Sequence, residues 1–101
     1  MSYRLRLYAY EDASEGELEA AEQRFRTALE AELGHESLVL PVYTAYMRLV
    51  STYGEAPGED VLSPEELEIF SQWQAAELAA MTAALGPHRY MGDAQFEIRP
   101  A

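Results

Sequence analysis

The two ends of the chain alternate between apolar and polar positions, while the middle repeats at helical spacing. Tyr3-Arg4-Leu5-Arg6-Leu7-Tyr8-Ala9-Tyr10 has a period of two. Tyr3, Leu5, Leu7 and Ala9 share one face, and Arg4, Arg6, Tyr8 and Tyr10 share the other, which is the pattern of a half-buried strand. Gln95-Phe96-Glu97-Ile98-Arg99 alternates in the same way and predicts a second strand over 94–99. Two strands alone are marginal in water. They are therefore expected to pair with each other across whatever lies between, with Arg4 and Arg6 facing Glu97.

Three helices are predicted in between. Ser14-Glu15-Gly16-Glu17 has the spelling of a capping box, in which the serine oxygen takes an orphan N–H and the glutamate reaches back to the cap. Leu18, Ala21, Phe25, Ala28, Leu29 and Leu33 follow at helical spacing, and Gly34 can end the helix in a left-handed conformation. This places the first helix over 15–33. The second, over 41–53, starts at Pro41 and is apolar on every side, Arg48 being its one charge. Such a helix is expected to be the most buried of the three. Leu38 to Leu40, just before it, could form a short extra strand. Ser63-Pro64-Glu65-Glu66 spells a second capping box, with proline at the first helical position. Leu67, Phe70, Trp73, Leu78, Met81 and Leu85 then continue to Gly86-Pro87, which stops a third helix over 64–85. The expectation is one α+β domain over residues 1–101, with three helices packed on a small sheet of the terminal strands in the order β-α-α-α-β.

Composition narrows the function classes. The chain has 101 residues, no cysteine and a net charge of −11. Disulfides, thiolate nucleophiles and cysteine metal sites are excluded together. All seven basic residues are arginine. The charge disfavours nucleic acid and anionic membranes, whose phosphates would be repelled over a Debye length of about 8 Å. It would attract a basic protein. The amino-terminal residues lack the apolar run of a signal peptide, and no stretch has the length of a membrane span, so a cytoplasmic location is expected.

The negative charge is concentrated in two places. Residues 11–36 hold nine acids and two arginines, net −7, and residues 55–68 hold six acids and no base. Carboxylates near helix starts complement the macrodipole, which accounts for Glu15, Glu17, Glu65 and Glu66. Glu55, Glu59 and Asp60 precede the cap and are not explained in this way. Glu11, Asp12, Glu15, Glu19, Glu22, Glu55, Glu59 and Asp60 are accordingly the candidate partner-binding residues. Arg4, Arg6, Tyr8 and Tyr10 carry the side chains that make interface hot spots and are the candidate seam of a homodimer, since a small sheet leaves open edges. Light scattering would then report about twice the 11.3 kDa monomer mass.

Catalytic and metal-binding patterns are weak. Glu32-Leu33-Gly34-His35 matches Glu-x-x-His, but that motif needs an unbroken helix and a second copy. His88-Arg89-Tyr90 with Asp93 could pair a histidine with an orienting carboxylate, yet turn residues explain it as well. There is no nucleophile elbow and no phosphate loop. Neither catalytic residues, a cofactor nor a metal is expected. The functional expectation is an acidic protein-binding module, an inhibitor or immunity-type protein that neutralises a basic partner; small immunity proteins and nucleic-acid mimics share this composition, though no motif. The alternative is a small homo-oligomeric ligand-binding protein or enzyme with a pocket near Trp73, His88 and Tyr90.

Overall fold

The computed structural model describes residues 3–8, 14–58, 60–86 and 95–101. Strand β1 (Tyr3–Tyr8) is followed by helix α1 (Glu15–Leu33), a 3-10 turn at Glu36–Leu38, helix α2 (Val39–Tyr53), helix α3 (Pro64–Leu85) and strand β2 (Gln95–Pro100). The two strands pair antiparallel, from Tyr3 opposite Pro100 to Tyr8 opposite Gln95. In this register Leu5 meets Ile98 and Leu7 meets Phe96 on the core side, and Arg6 meets Glu97 on the outer side. The α+β architecture and the element order are as the periodicity predicts.

The helix ends follow from the caps. At Ser63 the box is complete: the Ser63 N–H donates to Glu66 Oε1 at 2.9 Å, and the Glu66 N–H donates to Ser63 Oγ at 3.2 Å. The bond from the Ser63 N–H is the main reason the Glu66 carboxyl titrates below its usual range. A depressed pKa means a contribution that is present at neutral pH and fades on acidification through the folded-state value. Ser63→Ala is expected to lower stability by about 1 kcal/mol, read from a urea melt. At Ser14 the serine half of the box is made, with the Glu17 N–H donating to Ser14 Oγ at 3.2 Å. Gly34, with φ of 103°, closes α1 as its N–H donates to the Glu30 carbonyl.

Three expectations are corrected. Leu38 to Leu40 do not form a strand. The His35 ring accepts the Ser37 N–H at 3.0 Å, opening the 3-10 turn, and α2 begins directly at Val39. Pro41 sits in the first turn of α2, where a missing N–H costs nothing. Second, α2 is not the most buried helix. Only Val39 and Leu40 are fully enclosed, and Met47 and Tyr53 are 41% and 37% exposed. Partner surface runs out: α3, β2 and α1 all touch α2, yet they leave the side with Met47 and Tyr53 open. Third, the buried stripe of α3 passes through Phe70, Trp73, Ala76, Ala80, Met81 and Ala84, leaving Leu78 outside at 60% exposure. Leu78 lies five positions after Trp73, which turns it away from the stripe. The small alanines let α1 lie close, and Ala21, Phe25, Leu29 and Leu33 of α1 complete that side of the core.

Contacts along α3 order the other helices. Tyr46 packs on Phe70 and Tyr43 on Trp73, so α2 runs antiparallel to the N-terminal half of α3. Arg24, midway along α1, donates to the carbonyls of Ala83 and Ala84 at 3.1 and 2.7 Å. Thus α1 lies against the C-terminal half, and α1 and α2 follow one another down a single long helix. The molecule is correspondingly elongated, 43 × 29 × 20 Å.

Candidate functional site

The acidic stretches face solvent but do not form one patch. Glu15 and Glu19 are exposed on the first turns of α1, beyond the C-terminal end of α3. Asp60 is exposed just before the N-terminal end of α3, whose 22 residues span about 33 Å. The two stretches are therefore separated by most of the molecule's length. Glu22 is half-buried, and its Oε1 accepts the Leu7 N–H at 3.1 Å, satisfying a backbone donor on the free edge of β1. Glu11, Asp12 and Glu59 lie outside the described residues, as do Tyr10, His88, Tyr90 and Asp93.

Few of these charges are compensated. Among the described residues one ion pair forms, between Arg99 and Glu97 on β2. The exposed glutamates of α1 and the start of α3 have no such partner among the described residues.

Glu55 is different, because it faces a cavity. A recess of about 350 Å³ between α2, α3 and β2 is walled by Tyr43, Tyr46, Met47, Val50 and Phe96, with Glu55 and Glu77 contributing carboxylates. Trp73, expected to bound a ligand pocket, is fully enclosed behind it, and its indole Nε1 donates to Glu77 Oε1 at 3.3 Å. Burial pushes the Glu77 carboxyl above its ordinary pKa, against the lowering bond from Trp73, and Glu55 adds repulsion. Tyr43 and Tyr46 are likewise raised, chiefly by burial and then by Glu77. Glu77 is not among the residues that the sequence motifs point to, yet it carries a signal. It is the one charged residue in an otherwise apolar and neutral run from Ile69 to Leu85.

A raised carboxyl pKa means the folded chain binds the proton more tightly than the unfolded one. The associated stability is present below the unfolded-state pKa and is lost as pH rises through the folded-state value. Ionised Glu77 is thus a liability at neutral pH. Glu77→Gln, which can keep the Trp73 bond, should raise the thermal midpoint at pH 7 and leave it nearly unchanged below the ordinary carboxylate range. A midpoint that falls at pH 7 would contradict this account.

The candidate interface residues on the sheet do converge. Arg4, Arg6 and Tyr8 project from the outer face of β1, joined by Arg26 of α1 and by Glu97 and Arg99 of β2. The Tyr8 hydroxyl donates to Glu97 Oε2 at 2.6 Å, and the Arg26 guanidinium lies 4.6 Å from the centre of the Tyr3 ring. Glu97 therefore bonds to Tyr8 and Arg99, while Arg6 is its cross-strand neighbour.

Gly34 ends α1 between Glu32 and His35, and no group of three metal-ligating side chains occurs among the described residues. No helix among them is long and apolar enough to cross a membrane. No protein-family model, curated protein or solved structure matches the chain.

Proposed function

We propose that this protein is an acidic binding module of the inhibitor or immunity type, which neutralises a basic partner protein and seats one of its basic side chains in the recess at Glu77. The supporting observation is the pairing of Glu55 and Glu77 in a cavity walled by Tyr43, Tyr46 and Phe96. A cationic head on an apolar stem matches that arrangement: the carboxylates meet the charge, and the ring faces add cation–π attraction. An arriving cation would relieve the burial cost that raises the Glu77 pKa. A carboxylate that costs stability where it stands fits a binding role better than a structural one. The uncompensated acids at both ends of the molecule would then steer the partner in, setting the rate of encounter more than the lifetime of the complex.

The test separates these two roles. A partner captured from lysate would be measured against the wild type, a charge reversal at Glu59 and Asp60 to lysine, which leaves the recess carboxylates in place, and Glu77→Gln. The charge reversal is expected to slow association about tenfold or more at low salt, with the difference shrinking as salt rises. Glu77→Gln should instead shorten the lifetime of the complex. Unchanged rate constants in both variants would make the acids ordinary solvated surface.

A further inference from the structure

Four of the seven arginines of a chain carrying net charge −11 surround one cavity of about 480 Å³. Arg4 and Arg6 reach it from β1, Arg99 from β2 and Arg26 from α1, so three elements that are distant in sequence supply it. Chance solvation of a strand face does not require Arg26, whose guanidinium is placed over the Tyr3 ring. Glu97 is the one carboxylate among the described residues that line the cavity, and it is bonded to Arg99 and to the Tyr8 hydroxyl. Arg4, Arg6 and Arg26 form no ion pair with another described residue, in a protein with surplus acids elsewhere.

Tyr3 lines the same cavity and is 4% exposed. Burial first, and the nearby Glu30 carboxylate next, raise its pKa to about 12, with a hydrogen bond to Glu30 acting in the same direction, so the ring stays neutral beneath the Arg26 guanidinium.

We infer that this cavity is a binding site for a small multivalent oxyanion, of phosphate or polycarboxylate chemistry, held by the guanidinium groups of Arg4, Arg6 and Arg26. Planar guanidinium groups grip such oxygens in bidentate fashion, and the volume suits a small metabolite-sized ligand. A twofold dimer seam is the competing use of this face. It would press a face with four arginines and one carboxylate against an identical face, and this surplus of like charge disfavours a self-complementary contact. The inference stands apart from the proposed binding of a basic partner, since it uses the opposite charge on a different surface.

The experiment is calorimetric titration with inorganic pyrophosphate and, separately, with citrate, at low ionic strength in a chloride buffer. One-to-one binding is expected for at least one of them, weakened about tenfold or more in each of Arg4→Gln and Arg26→Gln. Arg48→Gln, on α2 and outside the cavity, should bind as the wild type does. Arg4 is exposed, so its variant should fold even if loss of the Tyr3 contact harms the Arg26 variant. Absence of binding by both probes, or equal weakening in Arg48→Gln, would overturn the assignment. Light scattering on the same samples decides the alternative: a dimer that Arg4→Gln dissociates would give the face to a second copy.

Discussion

Trp73→Ala is expected to cost about 3–5 kcal/mol, enough to remove most of the stability of a domain this size. Trp73 is fully enclosed and lies at the meeting point of α2, α3 and β2, with ring centroids 4.9 Å from Tyr43, 6.0 Å from Tyr46 and 6.3 Å from Phe96. Truncation empties the space behind the Glu77 recess and leaves three aromatic rings without a common partner. It also removes the donor that Glu77 Oε1 accepts from. Trp73→Phe keeps much of the packing and should cost clearly less, so the difference between the two variants measures the packing of the ring, the indole N–H being lost in both. Urea unfolding followed by far-UV circular dichroism is the suitable readout, because the chain's one tryptophan is the residue replaced. A loss below about 1 kcal/mol for the alanine variant would mean that this junction is not the centre of the core.

Arg24→Ala should have the second largest effect, about 2 kcal/mol. The last carbonyls of a helix lack partners, and α3 has no basic residue in its own last turn. Arg24 supplies one from another helix, 59 and 60 residues away in sequence. Hydrogen bonds from a charged donor contribute about 1.5–3 kcal/mol, reduced here by the exposure of part of the side chain. The favourable position at the negative end of the macrodipole adds to them. Arg24→Lys should recover only part of the loss, since an ammonium cannot span both carbonyls with the planar fork. A shift in the urea midpoint with an unchanged slope is the expected signature. If lysine and alanine behave alike, the two bonds contribute little.

These two residues illustrate which parts of the molecule could be read from sequence. The alternation of Tyr3 to Tyr8 and Gln95 to Arg99, and the caps at Ser14 and Ser63, are local signals, and the elements they predict form. The buried face of α1 follows its spacing for the same reason. Local apolarity misled at α2, because it reports what a helix could bury and not how much partner surface the rest of the chain offers. It misled again at Leu78, where spacing and not residue type decides the face. The Arg24 carbonyl bonds, the Glu22 bond to Leu7 and the convergence of Arg26 with Arg4 and Arg99 depend on tertiary placement, to which no short-range pattern points. Glu77 lies between these cases. Its four-residue spacing from Trp73 is visible in the sequence, but its cavity needs Tyr43, Tyr46 and Phe96 from two other elements.

The pairing of β1 with β2 also imposes an order of events during synthesis. β1 leaves the ribosome before the three helices, and its strand partner only after them. Until β2 emerges, Leu5 and Leu7 can be covered by α1 alone, and the side of β1 that β2 will occupy keeps its backbone groups open. Closing so long a loop adds entropic cost and slows folding relative to the helix contacts that precede it. Nascent chains stalled short of residue 95 should therefore hold a helical but sheetless intermediate with the face of Phe25 that will meet Phe96 still uncovered, a species for a chaperone or a neighbouring nascent chain to bind.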